Sequence, residues 1–217
     1  MTRIAPSLAA APLDRLGEVV RRLDEAGVDL IHFDVEDGSF VPVMTLGTKI
    51  VADLRPLTQR PFDVHLMMVH PEWLIPQLAR DGANRISVHY EACPYPRRTL
   101  RMIAEAGAAA GLAFNPATPL PDLTDLLPYL AFVVILTTEP EVPDPAFLPH
   151  ALEKIRKGKQ TRGLEAVEWV ADGGLNRENV GLAVGAGADT LVIGRSVFQD
   201  GRIAENIKEI LRALGSL

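Results

Sequence analysis

The chain has 217 residues, 47 % of them hydrophobic, and its 28 acidic against 22 basic residues give a formal charge of -6. That length supports one substantial core, so one domain over residues 1–217 is expected, and the acidic balance without a basic tail or lysine cluster excludes nucleic acid as a partner. The lone Cys93 fits a reducing compartment, no stretch reaches the roughly 18 apolar residues of a membrane span, and charged Asp14 comes too early for a signal peptide. A soluble, cytoplasmic protein without a membrane partner is expected.

Short β-rich runs alternate with stretches of helical period. RIAPS from Arg3 leads into a helix expected over 13–26, where Leu13, Leu16, Val19, Val20 and Leu23 form one apolar stripe. DLIHFD from Asp29 precedes a helix over 47–55, FDVHLM from Phe62 one over 71–81, and RISVHY from Arg85 one over 96–106. GLAFNP from Gly111 is followed by a helix over 121–128, and FVVILT from Phe132 by one over 147–157. AVEWVAD from Ala166 and TLVIG from Thr190 complete the set, with helices over 176–186 and 202–213. Glycine follows the last periodic residue at Gly27, Gly82, Gly107 and Gly187, where left-handed backbone ends a helix. Near-continuously apolar strands alternating with amphipathic helices call for parallel strands covered by helices. Eight such units with polar strand ends favour an α/β fold of the (β/α)8 TIM-barrel type over an open doubly wound sheet, and no GxGxxG follows the first strand.

The polar strand ends carry the chemistry. His32 and Asp34 lie two apart on one face of the second strand, His65 stands on the third, and Asp172 follows the seventh. Each alone is an ordinary hydrogen-bonded rim residue. In a barrel all four converge on one mouth, and two imidazoles with two carboxylates suit a divalent cation: zinc, manganese, iron or cobalt. Gly173 and Gly174 in VADGGLN, and Gly194 in TLVIGRS, stand where strands turn into helices, so freed amides there can cradle a phosphate. Asn176 either joins them or caps the next helix. Asn115 after the fifth strand is a ligand donor or part of a turn stiffened by Pro116 and Pro119. TTEPEVPDPAFLP, from Thr137, carries four prolines and reads as a semi-rigid loop over the functional face or as a solvated connection. Trp73 and Trp169 are expected to pack, and Met44, Met67 and Met68 to fill pocket or core.

IAPSLAA, HFDVEDGSFVP, FDVHLM, ISVHYEA, GLAFNPATP, ADGGLN and the glycine end of strand eight, in that order, resemble the ribulose-phosphate 3-epimerase family over nearly the whole chain. The resemblance implies a (β/α)8 barrel that inverts C3 of a phosphorylated ketose with one divalent cation, zinc ahead of iron, manganese or cobalt, and with no nicotinamide or flavin. It places the metal ligands on His32, Asp34, His65 and Asp172, the acid–base carboxylates on Asp34 and Asp172, and a serine near the substrate on Ser7. It also makes a homo-oligomer plausible. Glu36 and Leu136 replace two methionines of the family, so with Met67 they are expected at the substrate, under a ceiling that has gained a carboxylate. EPEVPDP, residues 139–145, stands where the family has an NPGFGGQ-like segment; proline offers no N–H, and Glu141 and Asp144 repel a dianion if they point inward. Arg195 replaces the family's usual serine. One reading is an epimerase of ribulose 5-phosphate or, preferred, a related ketose phosphate, with Arg195 compensating at the phosphate. Others are an epimerase or isomerase of a free sugar or sugar acid bound through Glu36 and Arg195, and a non-catalytic small-molecule-binding barrel.

Overall fold

Apolar strands that must hide both faces need cover outside and filling inside, and the observed packing supplies both. The computed structural model describes residues 2–140, Val142 and 145–215. Its strands are β1 (Arg3–Pro6), β2 (Ile31–Glu36), β3 (Phe62–Met67), β4 (Ala83–His89), β5 (Ala109–Phe114), β6 (Leu130–Leu136), β7 (Glu168–Asp172) and β8 (Thr190–Ile193). From β2 to β8 each strand pairs in parallel with the next, and β8 pairs with β1. Between β1 and β2 a single parallel bridge, Ser7 to His32, brings the ring to closure. The fold is a TIM barrel.

Around it lie α1 (Leu16–Glu25), α2 (Lys49–Leu54), α3 (Ile75–Arg80), α4 (Pro96–Glu105), α5 (Glu153–Gln160), α6 (Val180–Gly185), α7 (Arg195–Phe198) and α8 (Ile203–Gly215). In α1 the stripe of Leu16, Val19, Val20 and Leu23 is buried, but Leu13 is half exposed in a preceding 3-10 turn that starts after Pro12. Gly27, Gly82, Gly107 and Gly187 take positive φ, as their helix-ending role demands. The helix expected over 121–128 is only a 3-10 turn, Thr124–Leu126. Pro128 has no N–H to bond the Thr124 carbonyl, which accepts the Leu127 N–H in a 3-10 turn instead. The helices expected from 71 and 147 likewise open as 3-10 turns at Pro71 and Pro149 before turning α-helical at Ile75 and Glu153. Among the described residues no helix is long and apolar enough to cross a membrane.

One apolar layer fills the space between strands and helices; a smaller one, including Ala5, Val134, Val170 and Val192, fills the barrel interior. Trp169 is fully buried and leans on Gly158 of α5, where a Cβ would stand 1.9 Å from the indole Cζ2. Met67 and Met68 are buried filler. Trp73 and Met44 are not, being 72 % and 76 % exposed: both sit on connections at the carboxyl ends of strands, where no helix covers them. The interior also holds charge. Arg85 donates to Asp63 Oδ1 (3.1 Å) and Glu168 Oε2 (2.7 Å), and Glu168 also accepts from Thr190 Oγ1 (2.7 Å) and pairs with Arg3. The guanidinium lies 4.0 Å from the Phe132 ring centroid, and that ring occupies the space a side chain at Gly111 would need.

Candidate active site

Strand alternation turns His32 and Asp34 of β2, His65 of β3 and Asp172 of β7 toward the barrel axis at its carboxyl end. One ligand atom from each lies within 4.8 Å of the others. His32 Nε2 is 3.2 Å from Asp34 Oδ1 and 3.8 Å from Asp172 Oδ2, and His65 Nδ1 is 3.7 and 3.4 Å from the same two oxygens. Donors about 2.0–2.1 Å from a tetrahedral zinc ion stand roughly 3.3 Å apart, so the cluster has the dimensions of a cation cage. His65 Nδ1 is buried and makes no hydrogen bond among the described residues. A buried imidazole nitrogen without a hydrogen bond, beside two carboxylates, belongs to the donor set a divalent cation takes. His32, Asp34, His65 and Asp172 therefore fit one.

Burial disfavours charge on Asp34, yet the adjoining His32 and His65 rings outweigh it and hold the carboxyl well below the usual range. Burial likewise opposes the charged forms of His32 and His65, but Asp34 with Asp63, and Asp172 with Asp34, hold the two rings above the ordinary imidazole value. Ser7, just past β1, donates its hydroxyl to Asp34 Oδ2 at 2.5 Å.

Behind each ring stands a carboxylate. His32 Nδ1 is 3.0 Å from Asp63 Oδ2, joining the ring to the Arg85 and Glu168 network below. His65 Nε2 is 2.9 Å from His89 Nε2, and His89 Nδ1 is 3.1 Å from Glu91 Oε2. Burial pushes His89 down to about 4. Burial works against ionisation of Glu91, but hydrogen bonds from His89, Thr118 and the Asn115 N–H hold it at about 2. Sequence reasoning passed over Asp63, Arg85, His89 and Glu91. The signal was present, because Asp63 and Arg85 are charges in the middle of strands, and His89 and Glu91 repeat the two-residue spacing of His32 and Asp34.

A cavity of about 620 Å³ opens over the cluster, and Ser7, Asp34, Glu36, Met67, Leu136, Asp172, Gly173, Gly174, Gly194 and Arg195 all line it. Asn115 is not among its lining residues; its N–H donates to Glu91 Oε1 and its carbonyl accepts from Lys154, so it stands behind the site. Glu36 Oε2 accepts the Thr45 N–H at 2.6 Å, tying the loop after β2 to the rim. Asn176 lines the cavity, and its Oδ1 also accepts the N–H groups of Glu178 and Asn179 in the turn before α6. Gly173 has φ 108°, and a Cβ there would stand 2.3 Å from Thr138 Oγ1, so only glycine permits this approach of backbone to β6's continuation. Pro140, Val142 and Pro145 border the cavity, and Arg195 Nη2 donates to the Pro145 carbonyl at 3.3 Å. Glu141 and Asp144 lie outside the described residues. The base of this segment is tied to the cluster, since the Thr137 N–H and hydroxyl both donate to the Asp172 carbonyl, at 2.6 and 3.0 Å.

A TIM barrel whose mouth holds two imidazoles and two carboxylates able to coordinate a divalent cation, beneath a cavity of mixed lining, defines the class: a barrel with a candidate metal centre at the carboxyl ends of its strands. The comparisons narrow it. The model of the ribulose-phosphate 3 epimerase family matches residues 3–198. A ribulose-phosphate 3-epimerase of Synechocystis is 44 % identical, with 94 % of this chain and 90 % of that protein covered. Those of Bacillus subtilis (38 %; 97 % and 98 % covered) and Escherichia coli (35 %; 99 % and 96 % covered) are similar over their full span. Among solved structures, a mutant tryptophan synthase α-subunit of Pyrococcus furiosus superposes with a TM-score of 0.69 at 17 % identity, covering 97 % of this chain and 98 % of that one. A thiamine phosphate pyrophosphorylase from the same organism gives 0.63 at 16 %, covering 99 % and 96 %; both share the fold alone. The chain belongs to the ribulose-phosphate 3-epimerase family, and it is an epimerase.

Proposed function

We propose that this protein is a metal-dependent 3-epimerase of a ketose phosphate, with zinc as the preferred cation and a sugar related to ribulose 5-phosphate as substrate. The observation that carries this reading is the position of Asp34 and Asp172, which reach the same cavity floor from β2 and from β7 while sharing two imidazole neighbours. Inversion beside a ketone needs one group to take the C3 proton from one face and another to return a proton to the opposite face. Asp34 serves one face and Asp172 the other. Ser7, bonded to Asp34 Oδ2, keeps that oxygen from turning away between the two transfers. His32 and His65, with the two aspartates, would hold the cation, which when bound polarises the ketone and stabilises the oxygens where charge develops.

The phosphate end of the substrate is assigned to Gly173, Gly174, Gly194 and Arg195, which line the same cavity as Glu36. Support for altered selectivity comes from Glu36 at the rim and from Pro140 and Pro145 along it, since a carboxylate prefers hydroxyls and prolines donate nothing. The same Arg195 would match the carboxylate of an unphosphorylated sugar acid, which is the second reading. Exchange of the C3 hydrogen with deuterated solvent, followed by NMR over ribulose phosphate, other ketose phosphates, free ketoses and sugar acids, tests both. Phosphorylated ketoses are expected to exchange fastest and Arg195→Ser to weaken them selectively; turnover confined to free sugars or sugar acids would overturn the phosphate assignment.

A further inference from the structure

We propose that Glu91, acting through His89, is a positioning residue that dictates which nitrogen of His65 faces the Asp34–Asp172 cluster. The inference rests on reading that cluster as a cation cage. β4 ends at His89, and Glu91 follows in a 3-10 turn, Tyr90–Ala92. Glu91 Oε2 stands 3.1 Å from His89 Nδ1, while Glu91 Oε1 already accepts the Asn115 N–H at 2.8 Å. A carboxylate only accepts, so the proton between the two side chains resides on His89 Nδ1. His89 is sealed from water and packs against Phe40, with ring centroids 4.6 Å apart, an environment that disfavours a second ring proton. Its Nε2 is therefore bare.

That bare nitrogen is 2.9 Å from His65 Nε2, with the two rings 18° from parallel. Two imidazole nitrogens at this distance share one proton, and His65 must supply it. A neutral His65 protonated at Nε2 presents its Nδ1 lone pair, the buried atom without a hydrogen bond, to the Asp34 and Asp172 oxygens. Asp63 applies the same rule to His32 in one step, accepting from Nδ1 and leaving Nε2 for the cage. The two imidazoles thus offer different nitrogens because one carboxylate touches its ring directly and the other works through an inserted ring.

Glu91→Gln tests this with almost no change of volume. Its amide oxygen keeps the Asn115 N–H, so its NH2 faces His89 Nδ1 and every proton along the path moves over, ending with a proton on His65 Nδ1. Nitrogen-15 NMR of the metal-free protein, at a pH where the imidazoles are neutral, should show His65 protonated at Nε2 in the wild type and at Nδ1 in the variant. Zinc or cobalt affinity, measured by chelator competition, should fall about ten- to hundredfold. A wild-type His65 protonated at Nδ1 overturns the proposal even if the variant fails to fold, as does a variant with unchanged tautomer and affinity within about twofold. A wild type that takes up no stoichiometric cation overturns the cage reading instead, and the tautomers, read without metal, distinguish the two failures.

Discussion

At the scale of single residues, the proposed division of labour between Asp34 and Asp172 makes a direct prediction. Asp34→Asn and Asp172→Asn should each lower interconversion of C3 epimers by about 10²–10⁴ because either change removes the proton carrier of one face. NMR of the sugar mixture checks this, and undiminished inversion in either variant would remove the two-face assignment. Glu91 makes a second prediction, on stability. Held at about 2 against an ordinary 4.5, it contributes stability fully present above pH 4.5 and lost as pH falls toward 2. Partial solvent exposure reduces that contribution to about 1–2 kcal/mol. Urea titrations should show a constant gap between wild type and Glu91→Gln above pH 4.5 that narrows below it. The four cluster residues were legible in the sequence as a set, because each has an ordinary explanation at a strand end but a barrel brings all four ends to one mouth. Asp63 and Glu91 stood out as charges, but their partners did not, since nothing in a linear pattern says that Asp63 meets the His32 ring and Glu91 meets His89 behind His65. Asn115 adds a contact that no side-chain pattern announces: its backbone N–H donates to Glu91 Oε1.

At the scale of elements, β7 joins the packing of the shell to the chemistry, because Trp169 and Asp172 lie three residues apart on one strand. Gly158→Ala improves the intrinsic preference of α5 by about 1 kcal/mol, but drives a Cβ into a fully buried indole, at a cost of about 1–3 kcal/mol. Overpacking should win, and thermal unfolding should report a lower midpoint. Arg85 links β3, β4 and β7 from inside, so Arg85→Met leaves buried Asp63 with the His32 ring and Glu168 with Arg3 and Thr190, and should destabilise by about 3 kcal/mol in the same measurement. The eight strands were readable from near-continuous apolar runs, and the glycine helix ends from their position after each periodic stretch. Residues 121–128 misled because helical periodicity does not register that Pro128 lacks the N–H an α-helical turn would need at that position. Trp73 and Met44 misled because an apolar side chain says nothing about whether its connection lies under a helix or above the mouth.

At the scale of the whole molecule, the cluster draws on β2, β3 and β7, so any ion it binds cross-links distant parts of the ring. Zinc at a hundred times its dissociation constant should add about 2.7 kcal/mol to the unfolding free energy, read as a rise in melting temperature that a chelator reverses. A midpoint indifferent to zinc, manganese and iron alike would count against the cage. The barrel itself was legible from the alternation and count of units, whereas the manner of its closure was not, because a lone bridge between β1 and β2 leaves no trace in hydrophobic periodicity. That bridge joins Ser7 to His32, so the most thinly stitched seam of the ring runs through two residues of the site. Local breathing there should spoil the proposed proton transfer before the other seven pairings part. On gentle warming the enzyme should fall silent while still folded, and recover on cooling.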